Sequence, residues 1–155
     1  MITDIQKMIE AEAKVVEQFV DVLRLEQVAL GNGSTDELPL LADQKTGLAT
    51  QLNTLATQRN ALLASQGFEA DRAGIEKWCA KNPGVKSTSA TWLKTLSLAT
   101  EARELNRLNG ELIGIRMQYN VQALEILHRS ETSLNLYGPD GQSKTKGGRR
   151  INDAV

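Results

Sequence analysis

Residues 2–33 read ITDIQKMIEAEAKVVEQFVDVLRLEQVALGNG, and their spacing decides the fold class. Ile2, Ile9, Val16, Leu23 and Leu30 recur every seven residues. Ile5 and Phe19 stand three past two of these, and Met8, Val15 and Val22 widen the stripe. Apolar positions at that period place one broad apolar face on a helix. Thr3-x-x-Gln6 fits a capping box, so the helix is expected from about Thr3 to Leu30. Gly31-Asn32-Gly33 then stops it, glycine supplying a left-handed cap. Glu12 and Glu26 interrupt the seam where the row of Ile5 and Phe19 would otherwise continue.

The same period returns downstream. Leu41, Leu48, Leu55 and Leu62 recur every seven residues, with Leu38 and Leu52 in a second row broken by Lys45 and Arg59. This second helix is expected to start within STDELP, where Ser34-x-x-Glu37 is another capping-box candidate and Pro39 is tolerable only near a start. It should end near Gln66-Gly67. Two such helices joined by a short glycine turn make an antiparallel hairpin ~40 Å long at 1.5 Å per residue. Residues 69–82 suggest a shorter helix ended by Asn82-Pro83-Gly84. Ser87, Thr88 and Ser89 offer N-caps for a last helix from about Ala90 to Leu136. In it Leu98, Leu105, Leu112, Tyr119 and Ile126 share the seven-residue spacing, with Leu108 and Ile115 in the next row, and these rows are expected to pack on the hairpin. The expectation is an all-α fold: a long antiparallel hairpin, a short helix and a long C-terminal helix forming a bundle or coiled coil over residues 1–137. A flexible, basic, glycine-rich tail over 138–155 follows.

The later part of the last helix carries a second apolar stripe: Ile113, Met117, Leu124, Leu127 and Leu134. A helix apolar on two sides needs two partners. Either this stripe widens the contact with the hairpin, or it is a face for something outside the chain, where a central methionine would suit an adaptable surface. Asn106, Asn109, Gly110 and Gly114 weaken a helix interior, glycine by about 1 kcal/mol relative to alanine. They imply a specific packing partner, with a neighbouring helix approaching bare backbone and asparagines bonding across the contact.

Composition narrows the function classes. The formal net charge is −1, so the whole chain has no bias toward nucleic acid or an anionic membrane. The body is acidic at its start, with six acids against three bases in 1–32, and the tail is basic, with Lys144, Lys146, Arg149 and Arg150 against two acids in 138–155. One cysteine, Cys79, cannot make an internal disulfide, which suits a reducing compartment. The N-terminal residues have no basic segment leading into an apolar block, and no run of 18 apolar residues occurs. A cytoplasmic protein is expected, without membrane insertion. Six aromatics, two each of Trp, Tyr and Phe, against abundant leucine and alanine favour helix over sheet.

Chemistry-bearing constellations are sparse. Glu125-x-x-His128 has the spacing of a di-iron bundle ligand pair, but such a site needs the motif twice and the chain has one histidine. Cys79 has no histidine to pair with except His128, and no glycine elbow surrounds either. Glu101, Glu104 and Glu111 interleaved with Arg103 and Arg107 read as a solvated face with helical ion pairs. No catalytic residue, cofactor site or metal site is expected, and no enzymatic activity.

The stretch ELNRLNGELIGIRMQYNVQALEIL, residues 104–127, resembles the signature of FlgN-type flagellar export chaperones. The matching positions are Asn106, Asn109, Gly110, Leu112, Ile113, Asn120, Ala123 and Leu124. The end of the chain is similar as well, through Leu136-Tyr137-Gly138, Gly141-Gln142 and Gly147-Gly148-Arg149-Arg150. The resemblance implies a cytoplasmic chaperone of hook-associated proteins, the subunits that join hook to filament. It would hold their disordered amphipathic C-terminal ends, prevent premature assembly and deliver them to the flagellar type III export apparatus. It assigns cargo binding to the later part of the last helix, hence Ile113, Met117, Leu124, Leu127 and Leu134. It assigns export-gate contact to Tyr137, which could instead tuck against Leu134 and end the helix. The competing class is a structural coiled-coil adaptor that self-associates and ignores flagellar cargo. The adaptor would form a stable oligomer through the second stripe, whereas the chaperone is expected at most as a weak homodimer without cargo.

Overall fold

The computed structural model describes the backbone of residues 2–136 and the side chains of residues 4–129. Four α-helices cover these residues, with no strand among them: α1 Ile2–Asn32, α2 Leu38–Ser65, α3 Arg72–Lys81 and α4 Lys86–Leu136. A single 3-10 turn, Thr35–Glu37, leads into α2. The chain divides into two units, Met1–Glu111 and Leu112–Val155, and the described part of the second is the distal length of α4. The tail 138–155 and Tyr137 lie outside the described residues.

In the first unit α1 and α2 form the expected antiparallel hairpin. Both helices stop at a glycine in the left-handed region, Gly33 at φ 74° and Gly67 at φ 80°. There the amide of Ser34 donates to the Ala29 carbonyl and that of Phe68 to the Leu63 carbonyl, each at 2.9 Å. This pattern satisfies the last carbonyls of a helix where any side chain at the turn would be strained. After Gly67 the chain drops Phe68 onto the core, and after Gly33 it reverses into α2.

The hairpin's register has a chemical cause. The charges that interrupt the two apolar seams meet each other: Glu12 with Arg59, and Glu26 with Lys45 at 3.2 Å. Fourteen positions on along α1 pairs with fourteen positions back along α2, as antiparallel helices with matched heptads require. A slip of one turn would bury all four charges against apolar side chains, which costs far more than an exposed pair contributes. The proximal length of α4 runs parallel to α1. Gln6 Nε2 donates to Thr88 Oγ1 at 3.1 Å, Lys94 pairs with Glu17 at 3.2 Å, and Glu101 pairs with Arg24.

The core is continuous in kind but layered. Ile5, Ile9, Leu63, Ile75, Trp78, Val85 and Trp92 are buried together where α1 begins and α2 ends, with α3 seated on them. Further along, Val20, Leu23 and Ala102 pack with Phe19, Leu98 and Leu105. Near the hairpin turn Val22, Ala29 and Leu41 pack with Leu38 and Leu48.

Several local expectations are corrected. Thr3 lies inside α1, and Gln6 is drawn to Thr88 on α4. Ser34 precedes the 3-10 turn without a side-chain capping bond, so the second capping box does not form, although Pro39 does occupy the first turn of α2. The short helix starts at Arg72. Asp71, in extended conformation, accepts the Gly74 amide at 2.9 Å and caps it. α4 already begins at Lys86, so Ser87, Thr88 and Ser89 lie in its first turn; the Thr88 hydroxyl is buried as an acceptor for Gln6. The largest correction concerns the core rows. Leu98 and Leu105 do pack on the hairpin, but Ile115, Tyr119 and Ile126 are exposed.

Candidate partner-binding helix

α4 changes character at the boundary between the units. Proximally it is held by a buried polar cluster. Asn109, 1% exposed, donates from Nδ2 to the Leu23 carbonyl and to Glu26 Oε1, both at 2.9 Å. Lys45 Nζ reaches both Glu26 oxygens and Asn106 Oδ1 at 3.2 Å. One cluster thus ties α1, α2 and α4 together through the seam charges Glu26 and Lys45. An amide here does what a leucine could not: it supplies a donor to a carboxylate that burial would otherwise leave with Lys45 alone.

Gly110 and Gly114 have no such role. A Cβ on either would meet no heavy atom within 4 Å, so the expected close approach of a neighbouring helix to bare backbone is absent among the described residues.

Distally, from Leu112 to Arg129, large apolar side chains stand in solvent. Met117, Leu124 and Leu127 are each more than 60% exposed, and Ile113 is 39% exposed. The described part of the second stripe is therefore outward-facing; the Leu134 side chain lies outside the described residues. The stripe is also not the whole surface. Ile115, Tyr119, Val121 and Ile126 are exposed as well, so apolar side chains emerge on most sides of this length. Ile115, Tyr119 and Ile126 continue the seven-residue spacings of the proximal rows, so periodicity alone does not mark them as surface. The composition does signal them: no residue from Met117 to Leu124 carries a charge. A solvated helix surface of that length normally carries charges, so this one has the character of a binding surface. Met117, Val121 and Leu124, at spacings of four and three, align as anchors for a second helix.

Other candidate chemistry does not assemble. Among the described residues no three His, Cys, Asp or Glu side chains are grouped as metal ligands. Cys79 is half-buried beside the core, and burial pushes its thiol above its ordinary value against a weaker opposing bond from Ser89. Burial of this kind disfavours the thiolate, the reactive form of the group. His128 and Glu125 lie exposed on the distal helix. Arg107 pairs with Glu104 and Glu111, each at 2.6 Å, and holds the Glu104 carboxyl below its ordinary value. No described helix is long and apolar enough to cross a membrane.

No curated protein and no solved structure matches the chain. The FlgN protein family matches residues 1–145, which covers the hairpin, α3, the buried asparagine cluster and all of α4. The chain belongs to the FlgN family of flagellar export chaperones.

Proposed function

We propose that this chain is a cytoplasmic, non-enzymatic chaperone for hook-associated proteins. It binds their C-terminal amphipathic segments on distal α4, keeps them from assembling prematurely and delivers them to the flagellar type III export apparatus. The observation that supports this reading most directly is the exposed apolar length of α4 in a chain of this family. Ile113, Met117, Leu124 and Leu127, with Leu134 beyond them, are the contact residues.

The physics suits a carrier that must release its load. A disordered amphipathic segment folding onto an exposed helix gains apolar burial at about 25 cal/mol per Å². It loses conformational entropy of about 1–2 kcal/mol per ordered backbone residue. The surplus is modest, which allows binding in the cytoplasm and surrender at the export apparatus. The anchored core and the asparagine cluster hold the proximal helix fixed, so what is offered to cargo is already helical and needs no ordering of its own. Tyr137 is proposed to contact the export gate, and Lys144, Lys146, Arg149 and Arg150 to add diffuse, salt-sensitive attraction to acidic surface.

The experiment is affinity capture from flagellated cells with the intact chain as bait, identified by mass spectrometry. Hook-associated proteins should dominate, and should be lost from the capture when their C-terminal segments are deleted. Capture that is indifferent to those segments would refute the assignment.

A further inference from the structure

The first unit carries an apolar feature besides its core. An open groove of about 270 Å³ lies between α2 and proximal α4, floored by Val16 and Phe19 of α1 and walled by Leu52, Ala99 and Ala102. Arg103 stands on its lining. Of the five arginines before residue 112, Arg24, Arg59, Arg72 and Arg107 each pair with a carboxylate. Arg103 makes no ion pair or hydrogen bond among the described residues, and α2 offers it no acid, being uncharged from Thr46 to Gln58. The groove therefore lacks two things: a large apolar side chain between its alanines, and a carboxylate.

The groove lies in sequence register with the cargo stripe. Arg103, Gly110, Met117 and Leu124 recur every seven residues, as do Ala99, Asn106 and Ile113, and all belong to one helix, α4. A helix drifts only ~20° per heptad, so successive members of each row share a face. A Cβ on Gly110 would meet nothing within 4 Å, so this face is unobstructed where the row passes from Arg103 to Met117. We propose that the groove is a second cargo subsite. It seats an apolar side chain of the cargo's amphipathic helix between Leu52, Ala99 and Ala102, and it sets a carboxylate of that helix against Arg103. The proposal rests on the cargo reading and adds a charge requirement to it. The uncharged stretch from Met117 to Leu124 selects by apolar area, which any amphipathic helix offers. Arg103 favours a helix that brings an acid to the groove and rejects one that brings a base. The chain's own residues 138–155 carry the wrong charge for it, with four bases against two acids.

Calorimetric titration of a hook-associated protein into the full chain and its variants tests it. Arg103→Glu should weaken binding about fivefold, by turning an attraction into a repulsion, and the loss should shrink as salt is raised. Ala99→Phe, which fills the groove, should weaken binding at least about tenfold. Both should keep the helical circular dichroism of the unaltered chain; where Ala99→Phe does not, the exposed Arg103 carries the test alone. Changing the acids of the cargo's C-terminal segment to lysine, one at a time, should uncover a position that loses affinity for the unaltered chain and regains it with Arg103→Glu. Binding indifferent to both variants, or no position that Arg103→Glu rescues, would overturn the proposal. So would losses that vanish when 138–155 is deleted, which would give the groove to the tail. Altered sedimentation of Ala99→Phe with unaltered cargo affinity would give it to a second copy and overturn the proposal too. Leu124→Asp separates the two readings. If it weakens binding while both groove variants do not, the groove proposal falls and the cargo reading stands; if the unaltered chain binds no hook-associated protein, both fall.

Discussion

Replacing Arg59 by methionine removes one half of the buried seam pair and leaves Glu12 behind. The Glu12 side chain is 7% exposed, Arg59 is its ion-pair partner, and Glu12 Oε1 already has no hydrogen-bond partner. In the variant both carboxylate oxygens would be buried without a donor, which costs about 3–5 kcal/mol at neutral pH. The guanidinium also stands 5.2 Å over the Trp92 ring, so its loss removes a cation–π contact of about 0.5–2 kcal/mol. Burial already raises the Glu12 carboxyl above its ordinary value, against the opposing charge and hydrogen bond of Arg59. A carboxyl raised by folding contributes stability below its unfolded value and loses it as pH rises through the folded one. Without Arg59 the carboxyl rises further, so the cost of Arg59→Met should shrink as pH falls from 7 to 5. Urea unfolding followed by circular dichroism at both pH values reads the effect. The double variant Glu12→Leu/Arg59→Met should be far milder than Arg59→Met, neutral or more stable by about 1–4 kcal/mol, since a buried ion pair repays its desolvation poorly. A single replacement costing under about 1 kcal/mol at pH 7, or a double costing as much as the single, would refute this account of the seam.

Further outcomes test the packing and, separately, the proposed role of the tail. Asn109→Leu should cost about 1–3 kcal/mol in the same unfolding assay, because Glu26 and the Leu23 carbonyl each lose a buried donor. Gly74→Ala should destabilise by about 1–3 kcal/mol, since the added methyl falls on the Glu69 carbonyl oxygen, whereas Gly110→Ala meets open space and should stabilise by about 1 kcal/mol. Deleting 138–155 together with Tyr137→Ala should leave cargo complexes intact while secretion of hook-associated proteins falls; normal secretion and motility would remove the tail from the mechanism.

What could be read from the sequence follows what helical periodicity encodes. The seven-residue rows mark which residues share a face, and Gly33 and Gly67 mark where faces end, so the hairpin was legible residue by residue. The seam breaks Glu12, Glu26, Lys45 and Arg59 were visible as exceptions, though their pairing needed the antiparallel register to emerge. Helix starts were less legible because several side chains compete for each role: Thr88 could have capped α4, but its hydroxyl serves Gln6 instead. Periodicity does not say whether a face has a partner. Tyr119 and Ile126 continue the row of Leu98 and Leu105, yet those two are packed against α1 and these two are in solvent, as is Ile115 of the neighbouring row. Gly110 and Gly114 suggested a crowded contact for the same reason, and they stand in open space.

The central claim is that distal α4 is a docking surface and not misplaced core. Leu124, 65% exposed, tests it most directly. Calorimetric titration of a hook-associated protein into Leu124→Asp and into the unaltered chain, beside unfolding curves of both, separates binding from folding. Burying a leucine at such a contact contributes about 1.5–3 kcal/mol, so the variant should bind at least about tenfold more weakly. Its unfolding midpoint should stay within the few tenths of a kcal/mol typical of a surface substitution, about ±0.5. Unchanged affinity, or lost affinity accompanied by lost stability, would contradict the account.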